Sequence, residues 1–192
     1  MSSHELWRRL PCVAALLLVT HAVTAQVTSH VAAQVAAPAD APEALKVPAD
    51  ARLVLAVHAT GAQIYVCAAA ADGKFQWTLK APDAQLHDAH GAVVGHHAAG
   101  PSWRYKDGSE ITGKAAAHAD SPDPHAVPWL LVNVVGHSGS GLLESVTSVQ
   151  RLHTHGGAAP AATRCDAAKV DREARVPYSA DYYFYAAAAP AH

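Results

Sequence analysis

The sequence predicts an all-β protein: a single compact antiparallel β-sandwich or barrel-like domain with at most short helices. Short runs rich in β-branched and aromatic residues recur about every ten residues, which is typical of such folds. Glycine-containing turn sequences separate these runs. No segment has the convincing periodicity of an amphipathic helix, and only the polar stretch CDAAKVDREAR, residues 165–175, predicts a short one.

The first half of the domain predicts a series of hairpins. The stretch RLVLAVHATGAQIYVCAAA predicts a hairpin that turns at Thr60-Gly61, and KFQWTL predicts a short strand that ends at Ala81-Pro82. The stretch AQLHDAHGAVVGHH predicts a second hairpin with its turn at His90-Gly91. A third, SWRYKDGSEITG, turns at Asp107-Gly108, which is the strongest turn signal in the chain.

The second half predicts three longer strands, WLLVNVV, ESVTSVQRLHT and VPYSADYYFYA. A polar, proline-rich loop precedes the first of them. Along the last strand the period of two divides four tyrosines between the core and an exposed face. These are Tyr178, Tyr182, Tyr183 and Tyr185.

The 192-residue length indicates one domain, preceded by an export signal. Residues 1–25 resemble a secretory signal peptide, with Arg8 and Arg9, a short apolar run and a small-residue cleavage site. That run is shorter than the roughly 20 residues that span a bilayer, so no membrane span is expected after cleavage. Residues 26–44 predict a flexible Ala/Pro-rich lead-in, 45–186 the secreted domain, and 187–192 a frayed tail. The protein is expected to be secreted or periplasmic.

Two of the three cysteines lie in the predicted domain. Cys67 and Cys165 form an even count in an oxidising compartment, which favours a disulfide. A metal or catalytic thiol is the alternative, but a pair so far apart lacks the spacing of metal ligands. Charge excludes another class of function: the net charge is −2, and no cluster of Lys and Arg indicates nucleic-acid binding.

The stretch WLLVNVVGHSGSGLLESV raises the question of a serine nucleophile at Ser138. The nucleophile elbow requires Gly-x-Ser-x-Gly on a strand-to-helix turn, but Ser140 occupies the last glycine position and a strand is predicted to follow. A partner histidine would have to be His192, at the end of the tail. We therefore interpret residues 136–141 as a turn between antiparallel strands and disfavour a serine hydrolase.

Fourteen histidines make a metal site the other chemical alternative. His153 and His155 alternate along a predicted strand, so both imidazoles would face one side and could chelate a metal. No His-Glu-x-x-His or Cys-x-x-Cys motif supports this pair, and surface histidines are the plainer interpretation. No cofactor is expected, since GHSGSG also lacks the order of glycines that binds dinucleotides.

Four residues are candidates for a ligand site: His97, Trp103, Asp107 and Arg151. His97 or Asp107 would form hydrogen bonds to a ligand, and Trp103 would stack on a sugar ring, although burial in the core is the default for a tryptophan. Arg151 lies in a neutral strand and needs an acceptor if it is covered. Its structural partner would be Asp107, Asp166 or Asp181, and its functional partner an anionic ligand.

Several stretches together carry a family resemblance: AVHATGAQIYVC, GHHAAGPSWRYKDGSEITG, PWLLVNVVGHSGSGLL and VTSVQRLHTHGGAAP. They resemble a secreted bacterial and fungal family, domain of unknown function (DUF) 3455, over about residues 45–185. The resemblance implies export and one all-β domain, and it implies no activity. Ala98 stands where the family has an aromatic residue, and His153 and His155 stand where it tolerates other polar residues. The first departure weakens the case for ligand stacking at residue 98, and the second weakens the case for a required metal pair.

The leading hypothesis from the sequence is a non-catalytic binding module for an envelope or extracellular polymer such as a polysaccharide. The first alternative is an exported metal-binding protein or metal-dependent enzyme that uses His97 and other histidines. The second, disfavoured, is a hydrolase that acts through Ser138.

Overall fold

The structure, a computed structural model that describes residues 37–188, is built from eight strands. The predicted signal peptide and most of the predicted lead-in lie outside the described residues. The strands are β1 (Arg52–Ala69), β2 (Phe75–His87), β3 (Val93–Ala98), β4 (Ser102–Tyr105), β5 (Glu110–Ala119), β6 (Trp129–Ser138), β7 (Val146–Gly156) and β8 (Glu173–Ala186).

Each strand pairs antiparallel with the next, and β8 pairs with β1 to close a barrel. The all-β prediction is confirmed, and of its two architectures the structure has the barrel. An eight-stranded barrel has an interior just wide enough to be filled by side chains or to hold one small ligand. The helices in the described part are three short 3-10 turns, and none of them is long and apolar enough to cross a membrane.

The predicted turn at Thr60-Gly61 is wrong, because β1 runs through it without interruption. Gly61 pairs with Ala84 of β2, and a Cβ atom built on Gly61 would lie 2.2 Å from the carbonyl oxygen of Asp83. A glycine inside a strand marks either a turn or a close approach of another backbone. At Gly61 it is the close approach.

The predicted strand end at Ala81-Pro82 is also wrong, because β2 continues to His87. Pro82 pairs with Gln63 of β1, whereas β3 pairs with β2 only from Ala84 onward. Pro82 therefore lies where β2 has one hydrogen-bonded neighbour in the described structure. A proline, which has no N–H to donate, is tolerated at such an edge.

The predicted short helix in residues 165–175 is a 3-10 turn, Ala167–Lys169. The Asp166 side chain accepts a hydrogen bond from the backbone N–H of Ala168, 3.0 Å long, and caps the turn. Glu173 already begins β8. The backbone leaves helical geometry on either side of the turn, with Asp166 extended at φ −147° and ψ 177° and Val170 at φ −50° and ψ 139°.

The disulfide between Cys67 and Cys165 is confirmed. Cys67 lies near the end of β1, and Cys165 lies in the loop between β7 and β8, so the bond fastens that loop to the barrel. Both residues are buried. The bond joins positions 98 residues apart, which makes the closed loop long and its entropic stabilisation correspondingly large.

Apolar side chains fill much of the barrel interior, among them Leu86, Trp103, Ile111, Val149 and Phe184, all nearly inaccessible. A second, smaller cluster lies on the outer face, where the chain before β1 covers Trp129 and Leu152 with Leu45. The Gln150 side chain ties this segment to β7 by donating to the Leu45 carbonyl, 2.7 Å away.

The segment that covers the outer face of the barrel changes which tyrosines of β8 are exposed. Tyr178 and Tyr182 face the interior and are buried, as the period of two predicts. Tyr185 belongs to the other face, yet it is also buried, and its hydroxyl donates to the Gln150 side chain, 2.8 Å away. Burial raises the pKa of Tyr185 to about 12. Of the four, only Tyr183 is partly exposed.

Candidate functional site: a cavity inside the barrel

A cavity of about 260 Å³ opens where the two shortest strands end. Strand β3 pairs with β2 only over Ala84–His87, and β4 pairs with only three residues of β5. The neighbouring strands β2 and β5 extend beyond these short ladders. The turn between β3 and β4, at Gly100 and Pro101, and residues 79–82 of β2 therefore form the rim of the cavity.

The lining has apolar walls and a few polar groups. Three of the four candidate residues, His97, Trp103 and Arg151, line this cavity. The other lining residues are Gln63, Leu79, Lys80, Ala81, Pro82, Gly100, Pro101, Leu130, Val132 and Tyr182. Apolar walls with a small number of convergent polar groups are typical of small-molecule sites.

His97 and Trp103 form a stacked pair across the β3–β4 hairpin. They are direct partners in the ladder, and their rings lie 4.5 Å apart with an interplanar angle of 6°. Gly113 of β5 leaves room for the indole, because a Cβ atom there would lie 3.1 Å from it. Trp103 is only 1% exposed, and the imidazole covers one of its faces. Trp103 is thus a wall of the cavity and not an open platform for a sugar ring.

Burial lowers the pKa of His97 to about 3, with a smaller contribution in the same direction from the charge of Arg151. The ring is therefore neutral at ordinary pH. Its Nδ1 carries the proton and donates to the Ser102 carbonyl, 2.7 Å away. Nε2 is left unprotonated, which makes it a hydrogen-bond acceptor.

Arg151 brings a positive charge to the cavity without a carboxylate partner. Its Nε and Nη2 both donate to the Pro128 carbonyl, at 3.1 and 2.7 Å. Two of the other described arginines have acidic partners, Glu110 for Arg104 and Asp83 for Arg175. None of the predicted structural partners pairs with Arg151 in the described structure, since Asp107, Asp166 and Asp181 all bind other groups.

The remaining polar side chains of the cavity add mainly donors. The Gln63 amide nitrogen and the Trp103 indole nitrogen are buried without a hydrogen-bond partner among residues 37–188. Tyr182 is completely buried beside Arg151, and burial raises the pKa of its hydroxyl. Lys80 at the rim pairs with Glu173. The lining contains two cationic side chains and no Asp or Glu, so it is deficient in acceptors.

Asp107, the fourth candidate, does not line the cavity. It lies at the tip of the β4–β5 hairpin, where it accepts hydrogen bonds from Ser109 and, at 2.7 Å, from the backbone N–H of Leu142. A Cβ atom on Gly141 would lie 2.3 Å from the Asp107 carboxylate. Asp107 thus pins the loop after β6 against the hairpin, and glycine at 141 permits this contact.

Ser138 is the last residue of β6, and the same pinned loop leads from it into β7. The antiparallel strand that follows confirms a turn after Ser138, but the turn begins at Gly139 and not at the predicted Gly136, because β6 includes residues 136–138. The neighbouring His137 directs its Nε2 to the Val146 carbonyl, 2.7 Å away, and not to Ser138. His192, the predicted partner for a serine nucleophile, lies outside the described residues.

The structure does not bring His153 and His155 together as a metal pair. The register of β7 shifts between Leu152 and His155, and His153 has a positive φ of 48°, so the regular alternation is broken. No group of three or more His, Cys, Asp or Glu side chains in residues 37–188 is arranged to hold a metal ion. The histidine-based metal hypothesis therefore has no supporting geometry in this part of the chain.

His153 instead links the chain before β1 to the barrel. Its Nε2 lies 2.8 Å from Asp40 and its Nδ1 lies 2.8 Å from Asp181. Burial disfavours the charged ring, but the hydrogen bonds and charges of Asp181 and Asp40 outweigh it and raise the pKa of His153 above 6.5. A raised folded-state pKa stabilises the link fully below pH 6.5, and this stabilisation is lost as the pH rises through the raised value.

We expect Asp40→Asn to lower the pKa of His153 measured by NMR titration, because it removes one of the two carboxylates that favour the charged ring. The control Asp72→Asn changes an exposed aspartate in the turn between β1 and β2, where it pairs with Lys74, and should leave the titration unchanged. If His153 had the same pKa in Asp40→Asn as in the parent protein, Asp40 would not stabilise the protonated ring of His153.

Sequence reasoning missed Gln63, Tyr182 and the rim residues 79–82. Gln63 and the rim residues lie next to the wrongly predicted turn at Thr60-Gly61 and strand end at Ala81-Pro82. Because of these predictions, β1 and β2 were not expected to continue through the site. Arg151 pairs with Tyr182 on one side and Leu130 on the other, and this register is visible only in the structure. These three neighbours in the sheet share one face, and that face is the interior.

A family model described as protein of unknown function (DUF3455) matches residues 48–186. The chain belongs to this family. The match spans the whole barrel and every residue that lines the cavity. No curated protein and no solved structure matches the chain. In this DUF3455 member the cavity geometry is accordingly the main guide to function.

Proposed function

We propose that this chain is an exported, non-catalytic binding module that takes one sugar residue of an envelope or extracellular polysaccharide into the barrel cavity. One observation carries the proposal: His97, Trp103 and Arg151 converge on a single cavity inside the barrel. A concave site with apolar walls and few polar groups is the usual form of a specific small-molecule site.

The size of the cavity argues for a single residue. Its volume of about 260 Å³ is slightly below the 300–1,000 Å³ of typical ligand pockets. It corresponds to the share of roughly nine liquid waters. The end of a polymer, or a free monosaccharide, fits such a space better than the middle of a chain, which would need an open groove.

The burial of Trp103 revises the role expected from the sequence. A tryptophan that is 1% exposed and stacked on His97 cannot offer an open face to a sugar ring. In our proposal the stacked pair instead forms a rigid wall. Recognition then depends on the hydrogen-bonding groups of His97 and Arg151 at that wall.

Export is supported by two features. The sequence predicts a signal peptide at residues 1–25. The Cys67–Cys165 disulfide is of a kind that persists in oxidising compartments such as the periplasm or the exterior. A polysaccharide of the envelope or the surroundings is the abundant sugar polymer that such a protein meets.

We expect glucose, galactose, glucuronate and galacturonate, added separately to isotope-labelled protein, to include at least one sugar that shifts the amide NMR signals of cavity residues. Leu79→Trp should weaken this binding at least tenfold, because Leu79 lies at the rim and an indole there narrows the entrance. Leu142→Trp adds the same side chain at another exposed leucine, outside the cavity lining, and should have no effect. Failure of every sugar to shift cavity signals contradicts the proposal.

A further inference from the structure

We propose that the cavity selects acidic sugars over neutral ones and that the guanidinium of Arg151 holds the ligand carboxylate. This inference rests on the proposed sugar-binding function and names the chemical class of the ligand. It follows from the charge of the lining, from the guanidinium N–H groups that Pro128 does not engage, and from the unprotonated nitrogen of His97, which lines the same cavity.

The charge of the lining is the first argument. Arg151 and Lys80 are the charged side chains that line the cavity. Lys80 is neutralised by Glu173, whereas Arg151 has only neutral partners, the Pro128 carbonyl and the neighbouring Tyr182 hydroxyl. A cation beside apolar walls is poorly compensated, and its attraction to an anion is stronger there than in water. A ligand carboxylate would supply the missing charge.

The geometry of the guanidinium is the second argument. Arginine has five N–H donors in a planar fork, and Pro128 engages Nε and one N–H of Nη2. The second N–H of Nη2 and one N–H of Nη1 form the terminal edge of the fork. That edge matches the two oxygens of a carboxylate, the pairing for which arginine is preferred. The Pro128 contact orients the fork before a ligand arrives.

The neutral imidazole of His97 is the third argument. Nδ1 is committed to the Ser102 carbonyl, so Nε2 can accept a hydrogen bond but cannot donate one. An acceptor next to a cation suits a ligand that carries both hydroxyl groups and a carboxylate. A sugar acid has both, whereas a neutral sugar offers Arg151 only uncharged hydroxyl acceptors and a simple anion has nothing to donate to His97.

The test compares pairs of sugars that differ by one carboxylate: galacturonate with galactose, and glucuronate with glucose, by calorimetry and NMR titration. A short oligogalacturonide distinguishes a free sugar acid from the end of an acidic polymer. We expect an acid of at least one pair to bind roughly 10- to 100-fold more tightly than its neutral counterpart, as charge-assisted hydrogen bonds typically contribute.

Arg151→Met should remove this preference, and Arg151→Lys, which keeps the charge but not the fork, should restore only part of it. Arg172→Met, at an exposed arginine outside the lining, is the matched control and should retain the preference. The NMR spectrum of each variant verifies that it is folded.

The outcomes separate the two proposals. Equal binding of acidic and neutral sugars in the cavity, or a preference that survives Arg151→Met, overturns the role of Arg151 and leaves the sugar-binding function standing. Absence of cavity shifts with every sugar and with the oligogalacturonide overturns both.

Discussion

Replacing Cys67 and Cys165 together by alanine is expected to lower the free energy of unfolding by about 4–5 kcal/mol. The disulfide joins positions 98 residues apart, and its removal frees the unfolded chain from a long closed loop. In the folded state it holds the loop between β7 and β8 against the end of β1. A loss of this size is a large fraction of the total stability of a typical domain.

Urea denaturation of the oxidised protein, the reduced protein and the double variant provides the measurement. The reduced protein and the variant should unfold at similar, much lower urea concentrations than the oxidised protein. Thr163→Ala is the control, since Thr163 is exposed in the same loop as Cys165 and its replacement leaves the disulfide intact. A loss below about 1 kcal/mol in the variant, far under the loop-closure value, would mean that the bond adds little to the fold.

The second large effect is expected on acidification and depends on His97. Burial lowers the pKa of His97 to about 3, whereas an unfolded histidine takes up a proton near 6.5. The unfolded state therefore binds one more proton between these two values, and stability falls as the pH decreases through that window. The slope is about 1.4 kcal/mol per pH unit, and the whole window amounts to about 4–5 kcal/mol.

Urea unfolding between pH 6.5 and 4.5 isolates this contribution, because the described aspartates with lowered pKa values bind their protons at lower pH. His97→Gln should reduce the loss of stability over this range by about 2–3 kcal/mol. His118→Gln is the matched control, since this side chain is exposed on β5. In the parent protein, an NMR titration that shows His97 gaining its proton above pH 5 would refute the prediction.

The fold was predicted less accurately in β1 and β2 than in the later strands. The hairpin at Asp107-Gly108 was predictable, because the turn sequence itself determines the backbone path. Gly61 and Pro82 led to wrong predictions, because a glycine or a proline in a sequence is compatible either with a turn or with a position inside a strand. Gly61 admits a neighbouring backbone and Pro82 lies at an unpaired edge, and only the position of the adjacent strand distinguishes these roles from turns.

The candidate site was predictable where one strand determines the inward face. Arg151 is the one charged residue in an otherwise neutral strand, which made it a candidate. The alternation of side chains along the strand places it on the inner face. Asp107 was grouped with Trp103 because the two are close in sequence, but β4 is only four residues long and Asp107 lies beyond its far end. The stacking of His97 on Trp103 depends on the register of β3 against β4, which no single strand encodes.

The segment before β1 has a practical consequence for anyone who expresses this domain. The family match begins at residue 48, yet Leu45 is fully inaccessible and Asp40 contacts His153. A recombinant product trimmed to the matched range would expose Trp129 and Leu152 and leave Gln150 without its acceptor. Such a product would present an exposed apolar patch on the outer face of β7, the strand whose inner face carries Arg151. An expressed fragment should therefore begin no later than residue 37.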